Sequence, residues 1–329
     1  MKILILGSGS FAGQAVFSNL ISSGYEVFGI NRSKPKNKYY WPWVQNNEIK
    51  YGKNWYEANI NTNPDKLIKL IKEINPSHNV DFMGQGRVAP SWADPMLWYR
   101  TNLANKSYAL EAIRSLKNLQ KYVRASTPEV YGSNIQRIKE DHSFNPSTPY
   151  AVSHCAIDYH IRCLGKNYDF PYTIGRFANF YGEGQQLYRV IPRAILKFLN
   201  KEKFKIDGDG KSLRSFIYSK DIVNDVKKLL FKASPISEYN FSSNEEVSIK
   251  ELIKLISNLT NVGFDELVEF GPERKGKDFI YRLDCDKANR DLLWENKTPL
   301  KIGVEKVQDW ISLNLKNLNT QSCEYLHKI

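Results

Sequence analysis

The sequence predicts an α/β fold: a doubly wound parallel sheet followed by a smaller C-terminal α/β lobe. Three observations carry this expectation. Short β-branched and leucine-rich runs alternate with amphipathic helical stretches over the first 180 residues. The first run ends in a glycine-rich turn, and the alternation shortens after Tyr181-Gly182. The expected division is residues 1–180 for the sheet domain and 181–329 for the lobe, with some later chain returning to the sheet.

Taken in order, Lys2 to Leu6 suits a buried parallel strand. Gly7-Ser8-Gly9-Ser10-Phe11-Ala12-Gly13 follows, then a helix from Gln14 to Ser22 and a second strand from Tyr25 to Ile30. A strand, a glycine turn, a helix and a strand open a Rossmann-type dinucleotide fold. There the backbone must approach a pyrophosphate at a helix N-terminus. Gly7, Ser10, Phe11, Ala12 and Gly13 are therefore cofactor candidates, as are Asn31, Arg32 and Ser33 at the end of the second strand. An acidic residue there would bind the ribose hydroxyls of NAD. Arg32 in its place favours the 2′-phosphate of NADP.

A third strand is expected around Ile49–Tyr51 in an aromatic-rich stretch (Tyr39, Tyr40, Trp41, Trp43), then a helix from Pro64 to Ile74 and a fourth strand from Asn79 to Met83. Asp94-Pro95 opens a long helix to about Lys117, with proline at a favoured first position. Tyr122 to Ala125 is a strand, Tyr150 to Asn167 a helix and Tyr172 to Arg176 a strand. Beyond residue 181 helices are expected at Ile191–Asn200, Lys220–Lys232, Ser248–Leu259 and Ile302–Leu315, with strands at Phe216–Tyr218 and Tyr239–Phe241. Ser248 stands three residues before Glu251, a capping box. The last dozen residues are expected to fray.

With 42% hydrophobic and 25% charged residues the 329-residue chain reads as globular, and no run is long enough for a membrane span. A cytoplasmic protein is expected. Cys155, Cys163, Cys285 and Cys323 lack metal-ligand spacing, so no metal is expected. The net charge of +12 comes from scattered lysines without interleaved aromatics. A lysine-rich background explains it first, an anionic small substrate such as a nucleotide diphosphate second, and nucleic acid third.

The chemistry-bearing residues gather between Arg124 and Asp158. Ser126-Thr127-Pro128-Glu129-Val130-Tyr131-Gly132 reads as a strand end breaking into a turn. Pro149-Tyr150-Ala151-Val152-Ser153-His154 reads as a helix start. Tyr150 and His154 are one turn apart and share a face. If the two segments pack, a hydroxyl, a carboxylate, a phenol and an imidazole converge, which are the materials of general acid–base chemistry.

These strings, with Gln85 in Gly84-Gln85-Gly86-Arg87, Thr101-Asn102, Arg176-Phe177-x-Asn179-x-Tyr181-Gly182, Gly208-Asp209-Gly210 and Arg214-x-Phe216, occur in a common order over nearly the whole chain. The chain thereby resembles the extended short-chain dehydrogenase/reductases, the NAD(P)-dependent nucleotide-sugar epimerase/dehydratase group. Its pattern is nearest the 4,6-dehydratases. The resemblance implies that Thr127 bonds the sugar O4 and that Tyr150 takes the O4 proton while C4 gives hydride to the nicotinamide. It implies that Glu129 then takes the C5 proton, and that Tyr150, His154 and Gln85 contact the cofactor. Asn179 and Arg214 match positions that hold the nucleotide diphosphate, and Arg87 and Arg274 are further substrate-side candidates. A homodimer is implied too, through the helices after Pro95 and Tyr150. Three positions depart from the pattern: His154 replaces a lysine, Pro128 an aspartate and Ser10 the middle glycine. The alternatives are a sugar-nucleotide 4-epimerase or C4 dehydrogenase and, in another class, a catalytically degenerate dinucleotide-binding module.

Overall fold

Glycine-ended strands and proline-started helices set the chain's course through a computed structural model that describes residues 1–34, 38–42, 49–273 and 279–325. The first half runs β1 (Lys2–Leu6), α1 (Phe11–Ser22), β2 (Glu26–Asn31), β3 (Trp55–Glu57), α2 (Pro64–Ile74), β4 (His78–Asp81), α3 (Pro95–Tyr99), α4 (Lys106–Arg114), β5 (Lys121–Ser126), β6 (Asn134–Ile138), α5 (Pro149–Tyr168) and β7 (Tyr172–Phe177). The second runs β8 (Asn179–Tyr181), α6 (Val190–Leu199), β9 (Phe204–Asp207), β10 (Leu213–Tyr218), α7 (Ser219–Phe231), β11 (Ser237–Phe241), β12 (Glu246–Ser248), α8 (Ile249–Leu259), α9 (Phe264–Leu267), β13 (Val268–Gly271), β14 (Tyr281–Leu283), α10 (Asp286–Leu292) and α11 (Leu300–Leu318).

The main sheet has seven strands in the order β11-β7-β5-β4-β1-β2-β3, and every neighbouring pair is parallel. The strand order reverses beside β1, which opens a crevice at the carboxyl ends of β1 and β4. One face of the sheet carries α1, α7 and α10 over Ile3, Ile5, Val16, Val80, Val123 and Val226. The other carries α2, α4 and α5 over Leu4, Leu6, Leu67, Ile113 and Ile157. A separate core around Ile191, Phe204, Ile253 and Trp310 holds α6, α8 and α11 against the small sheets β12-β10-β8 and β13-β9.

Local signals place the helices that matter. Ser10 caps α1 by accepting from the Gly13 N–H at 3.0 Å. Asn63 and Pro64 start α2. Thr148 accepts from the Ala151 N–H at 3.2 Å, and Pro149 follows at the first turn of α5. The Ser248–Glu251 capping box is formed as expected.

Two elements differ from expectation. The third strand is Trp55–Glu57 rather than Ile49–Tyr51, because Gly52, at φ +76°, turns the chain first and Trp55 is the residue that buries fully. The long helix from Pro95 stops at Arg114 and is widened to π geometry over Arg100–Asn105. That wide turn buries Thr101 and Asn102. The C-terminal tail is packed rather than frayed as far as Tyr325, whose ring meets Tyr188 edge-on at 5.2 Å. Among the described residues no helix is long and apolar enough to cross a membrane.

Candidate active site

At the end of β5 the chain leaves the sheet at Thr127, which caps the short helical turn Pro128–Tyr131. On α5, the Tyr150 N–H donates to Ser91 Oγ at 3.1 Å, which seats the first turn of the helix. Thr127 is buried, and its hydroxyl and the half-buried Glu129 carboxylate both act on the half-buried Tyr150 phenol. Burial pushes the Tyr150 phenol well above its ordinary range and Glu129 adds to the push. Thr127, Arg189 and Arg124 draw it back.

His154 lies one turn on, its ring centroid 4.6 Å from that of Tyr150. It is 9% exposed, and its Nδ1 is 3.0 Å from Arg124 Nη2. Burial first, then the cations Arg124 and Lys106, hold its pKa well below the ordinary imidazole value, so the ring is neutral. Beneath this pair runs a buried ionic layer. Asp158 accepts from Arg124 Nε at 3.1 Å, from Arg176 Nη2 at 3.1 Å and from Ser126 Oγ at 2.7 Å. Arg176 also pairs with Glu238 at 2.7 Å, which Arg162 grips with two nitrogens. Beside it Lys106 pairs with Asp81 at 2.8 Å, and Tyr122 donates to the same carboxylate at 2.6 Å.

At the glycine turn, Gly7 has φ +75°, and a Cβ there would lie 2.9 Å from the backbone of Phe82 and Met83 at the end of β4. A Cβ on Gly9 would collide with the Asn31 side chain. Asn31 donates to the Ser33 carbonyl at 2.9 Å, so Asn31, Arg32 and Ser33 form one corner against the turn. Gln85 is buried and clamped by Asn102, which accepts its N–H at 2.7 Å and donates to its carbonyl at 3.1 Å. Arg87, at φ +78°, lies over the rings of Tyr188 and Tyr325 at 4.7 and 4.8 Å. Arg189 lies over Tyr188 as well, and Arg32 interacts with both tyrosines. Asn179 and Arg214 form a separate group: both meet Tyr281, Asn179 by a 2.9 Å hydrogen bond and Arg214 by lying 4.9 Å over its ring. Arg274 lies outside the described residues.

Thr127, Glu129, Tyr150 and His154 are thus brought together. Arg32 and Arg87 share a tyrosine-lined patch with Arg189, and Arg189 is also felt by Tyr150. A family model described as the NAD dependent epimerase/dehydratase family matches residues 3–241. The chain belongs to that family.

A dTDP-D-glucose 4,6-dehydratase of Mus musculus is 32% identical over 205 residues, 60% of this chain and 58% of the relative. The match thus spans less than two thirds of that relative's length. A Thermotoga maritima UDP-glucose 4-epimerase solved with UDP-glucose superposes with a TM-score of 0.86 at 25% identity, over 96% of this chain and 100% of the other. A Streptomyces venezuelae dTDP-glucose 4,6-dehydratase solved with NAD and TYD superposes at 0.87 with 22% identity, over 96% and 98% of the two chains. That last likeness speaks for the fold.

The epimerase/dehydratase residues of this chain fit a dinucleotide. The Gly7 and Gly9 positions leave a cradle that a Cβ would fill, at the N-terminus of α1 where first-turn N–H groups lack helical partners. Ser10 fits without strain, since its φ of −71° is ordinary and its side chain serves as the cap. Among the described residues no cluster of His, Cys, Asp or Glu could hold a metal ion.

Sequence reasoning missed Arg124, Arg189, Tyr188 and Tyr325. Arg124 had a signal: an arginine inside the apolar run Tyr122-Val123-Arg124-Ala125 of a doubly covered strand must have buried partners. Nothing local marks the tyrosines, which meet Arg87 only through tertiary packing.

Proposed function

We propose that this protein is a nucleotide-sugar 4,6-dehydratase or a close relative that oxidises C4 of an NDP-hexose. The observation that carries this reading is the Tyr150 phenol on which the Thr127 hydroxyl and the Glu129 carboxylate both act. A bound NAD(P) would accept the C4 hydride and return it at C6. Thr127 orients the sugar O4, and Tyr150 takes the O4 proton. The ketone formed at C4 acidifies C5–H, so a carboxylate suffices as base there and Glu129 takes that proton. Hydroxide leaves C6 and takes up one of the two released protons, giving water and a C5–C6 double bond. Hydride at C6 and the other proton at C5 then give the 4-keto-6-deoxy sugar. The half-buried Glu129 is the group an epimerase would not need. Arg214 and Asn179 hold the diphosphate, with bidentate guanidinium–phosphate pairing as the physical reason. Arg32 at the end of β2 favours NADP over NAD. A homodimer through the faces carrying Met96, Tyr108, Val152 and Tyr159, all exposed, accompanies this reading.

The test is incubation with a panel of nucleotide-hexoses, with product mass and co-purifying cofactor read by mass spectrometry. Loss of one water and a carbonyl at C4 are expected. An epimerase would retain the mass, a C4 dehydrogenase would keep the C6 hydroxyl, and a dinucleotide-binding module would turn over none of the panel.

A further inference from the structure

We propose that Arg124 is a positioning residue: it fixes His154 as an Nδ1 acceptor with its proton on Nε2, and it stations a permanent cation one layer behind the Tyr150–His154 pair. This rests on the reading of Tyr150 as the residue that handles the O4 proton.

The tautomer follows from chemistry. A guanidinium carries only donors and stays protonated, so the His154 nitrogen 3.0 Å from Arg124 Nη2 must accept. With Nδ1 accepting, a neutral imidazole keeps its proton on Nε2. Arg124 has no freedom to release the ring. Its Nε is tied to Asp158 Oδ1, and Asp158 is locked by Ser126 and Arg176. Arg124 is 1% exposed and Arg176 and Asp158 are fully buried.

The charge follows from the pairing. In the connected layer, Arg124, Arg162 and Arg176 face Asp158 and Glu238. Three guanidiniums against two carboxylates leave one positive charge over, and Arg124 is the end of the chain nearest the site. The charged groups felt by His154 are Arg124 from β5 and Lys106 from α4, with the Tyr150 ring lying against it at a tilt of 53° from its own helix. Both charges are positive, so protonating the ring is opposed from both sides. A histidine at 154 therefore cannot itself be the fixed cation of this site. Arg124 can, and it favours the Tyr150 phenolate against Glu129 and burial.

A lysine at 154 has a different meaning once this pair is recognised. It would set a second cation against Arg124 in a buried place, so His154→Lys alone should lower activity. The double variant Arg124→Met/His154→Lys moves the cation forward and should recover what Arg124→Met loses.

The experiment uses the full chain, labelled with 15N-histidine, with the His154 signals assigned from His154→Gln. The expected wild-type result is one Nε2–H tautomer, unchanged between about pH 5.5 and about pH 8.5. In Arg124→Met the fixed tautomer should be lost. A wild-type ring that titrates in that window, or carries its proton on Nδ1, overturns the proposal. With an active nucleotide-hexose, Arg124→Met should lower kcat about 10- to 100-fold, with the rising limb of the pH profile shifted up by about one to two pH units and KM within about 2-fold. Arg124→Lys should restore part of the rate. Equal losses in both single variants without rescue in the double variant would reduce Arg124 to a packing role and overturn the proposal. If no nucleotide-hexose reacts, the reading of the reaction fails, while the ring spectra still decide the tautomer. If Arg124→Met does not fold, the wild-type spectra decide alone.

Discussion

Asn102 holds Gln85 by both backbone groups, accepting its N–H at 2.7 Å and donating to its carbonyl at 3.1 Å. The grip depends on the π turn at Arg100–Asn105, which buries Asn102 against the loop after β4. The same amide also donates to Ser153 on α5 at 3.0 Å, so one side chain ties together the loop, the widened helix and the helix bearing Tyr150.

Asn102→Ala should therefore remove two buried hydrogen bonds from the Gln85 backbone. Each such loss costs about 1–3 kcal/mol, so a total of about 2–6 kcal/mol is expected in urea unfolding. Cofactor affinity should fall with it, because Gln85 loses its support. An unchanged unfolding midpoint would show that the clamp contributes nothing.

Asp158→Asn should be among the most damaging single changes. It removes the carboxylate that Arg124 and Arg176 share, both buried, and breaking such a pair costs about 3–5 kcal/mol. Denaturant midpoints of wild type and variant measure it.

Glu129→Gln separates the two proton transfers of the proposed reaction. C4 oxidation should proceed while C5 deprotonation stalls, so reduced nicotinamide should accumulate in a single turnover, visible by its near-ultraviolet absorbance. The carboxylate raises the Tyr150 phenol, so its removal should move the rising limb of the pH profile of C4 oxidation to lower pH. Tyr150→Phe should lower the same step by about 10²- to 10⁴-fold.

Acid should destabilise this fold through His154. Its folded-state pKa is depressed, by burial and then by Arg124 and Lys106, while the unfolded ring titrates near its ordinary value. Below about pH 6.5 the unfolded chain binds the extra proton, so the contribution is complete above that pH and is lost as pH falls below it. His78 shifts in the same direction, chiefly by burial. The thermal midpoint of His154→Gln should thus fall less between about pH 7.5 and about pH 5.5 than that of wild type. Parallel curves would refute the assignment.

Much of the fold was legible because its signals are local. The alternation of strand and helix, the Ser10, Thr148 and Ser248 caps, and the glycines at 7 and 9 each follow from a few neighbouring residues. The meeting of Thr127, Glu129 and Tyr150 was legible too, because a strand end and a helix start in this topology open on one crevice. The place of β3 was not, since an aromatic-rich stretch offers several strand-like runs and only burial of Trp55 selects one.

The sequence alone determined the α/β class, the glycine-rich turn after β1 and which four side chains meet at the candidate site. Tertiary structure decided the charge state of that site. His154 reads from sequence as an imidazole near its ordinary pKa. It is neutral here because β5 packs under α5 and brings Arg124, thirty residues away in the chain, to its Nδ1. Charge interactions in a buried layer depend on distances between elements, and no short-range pattern encodes them.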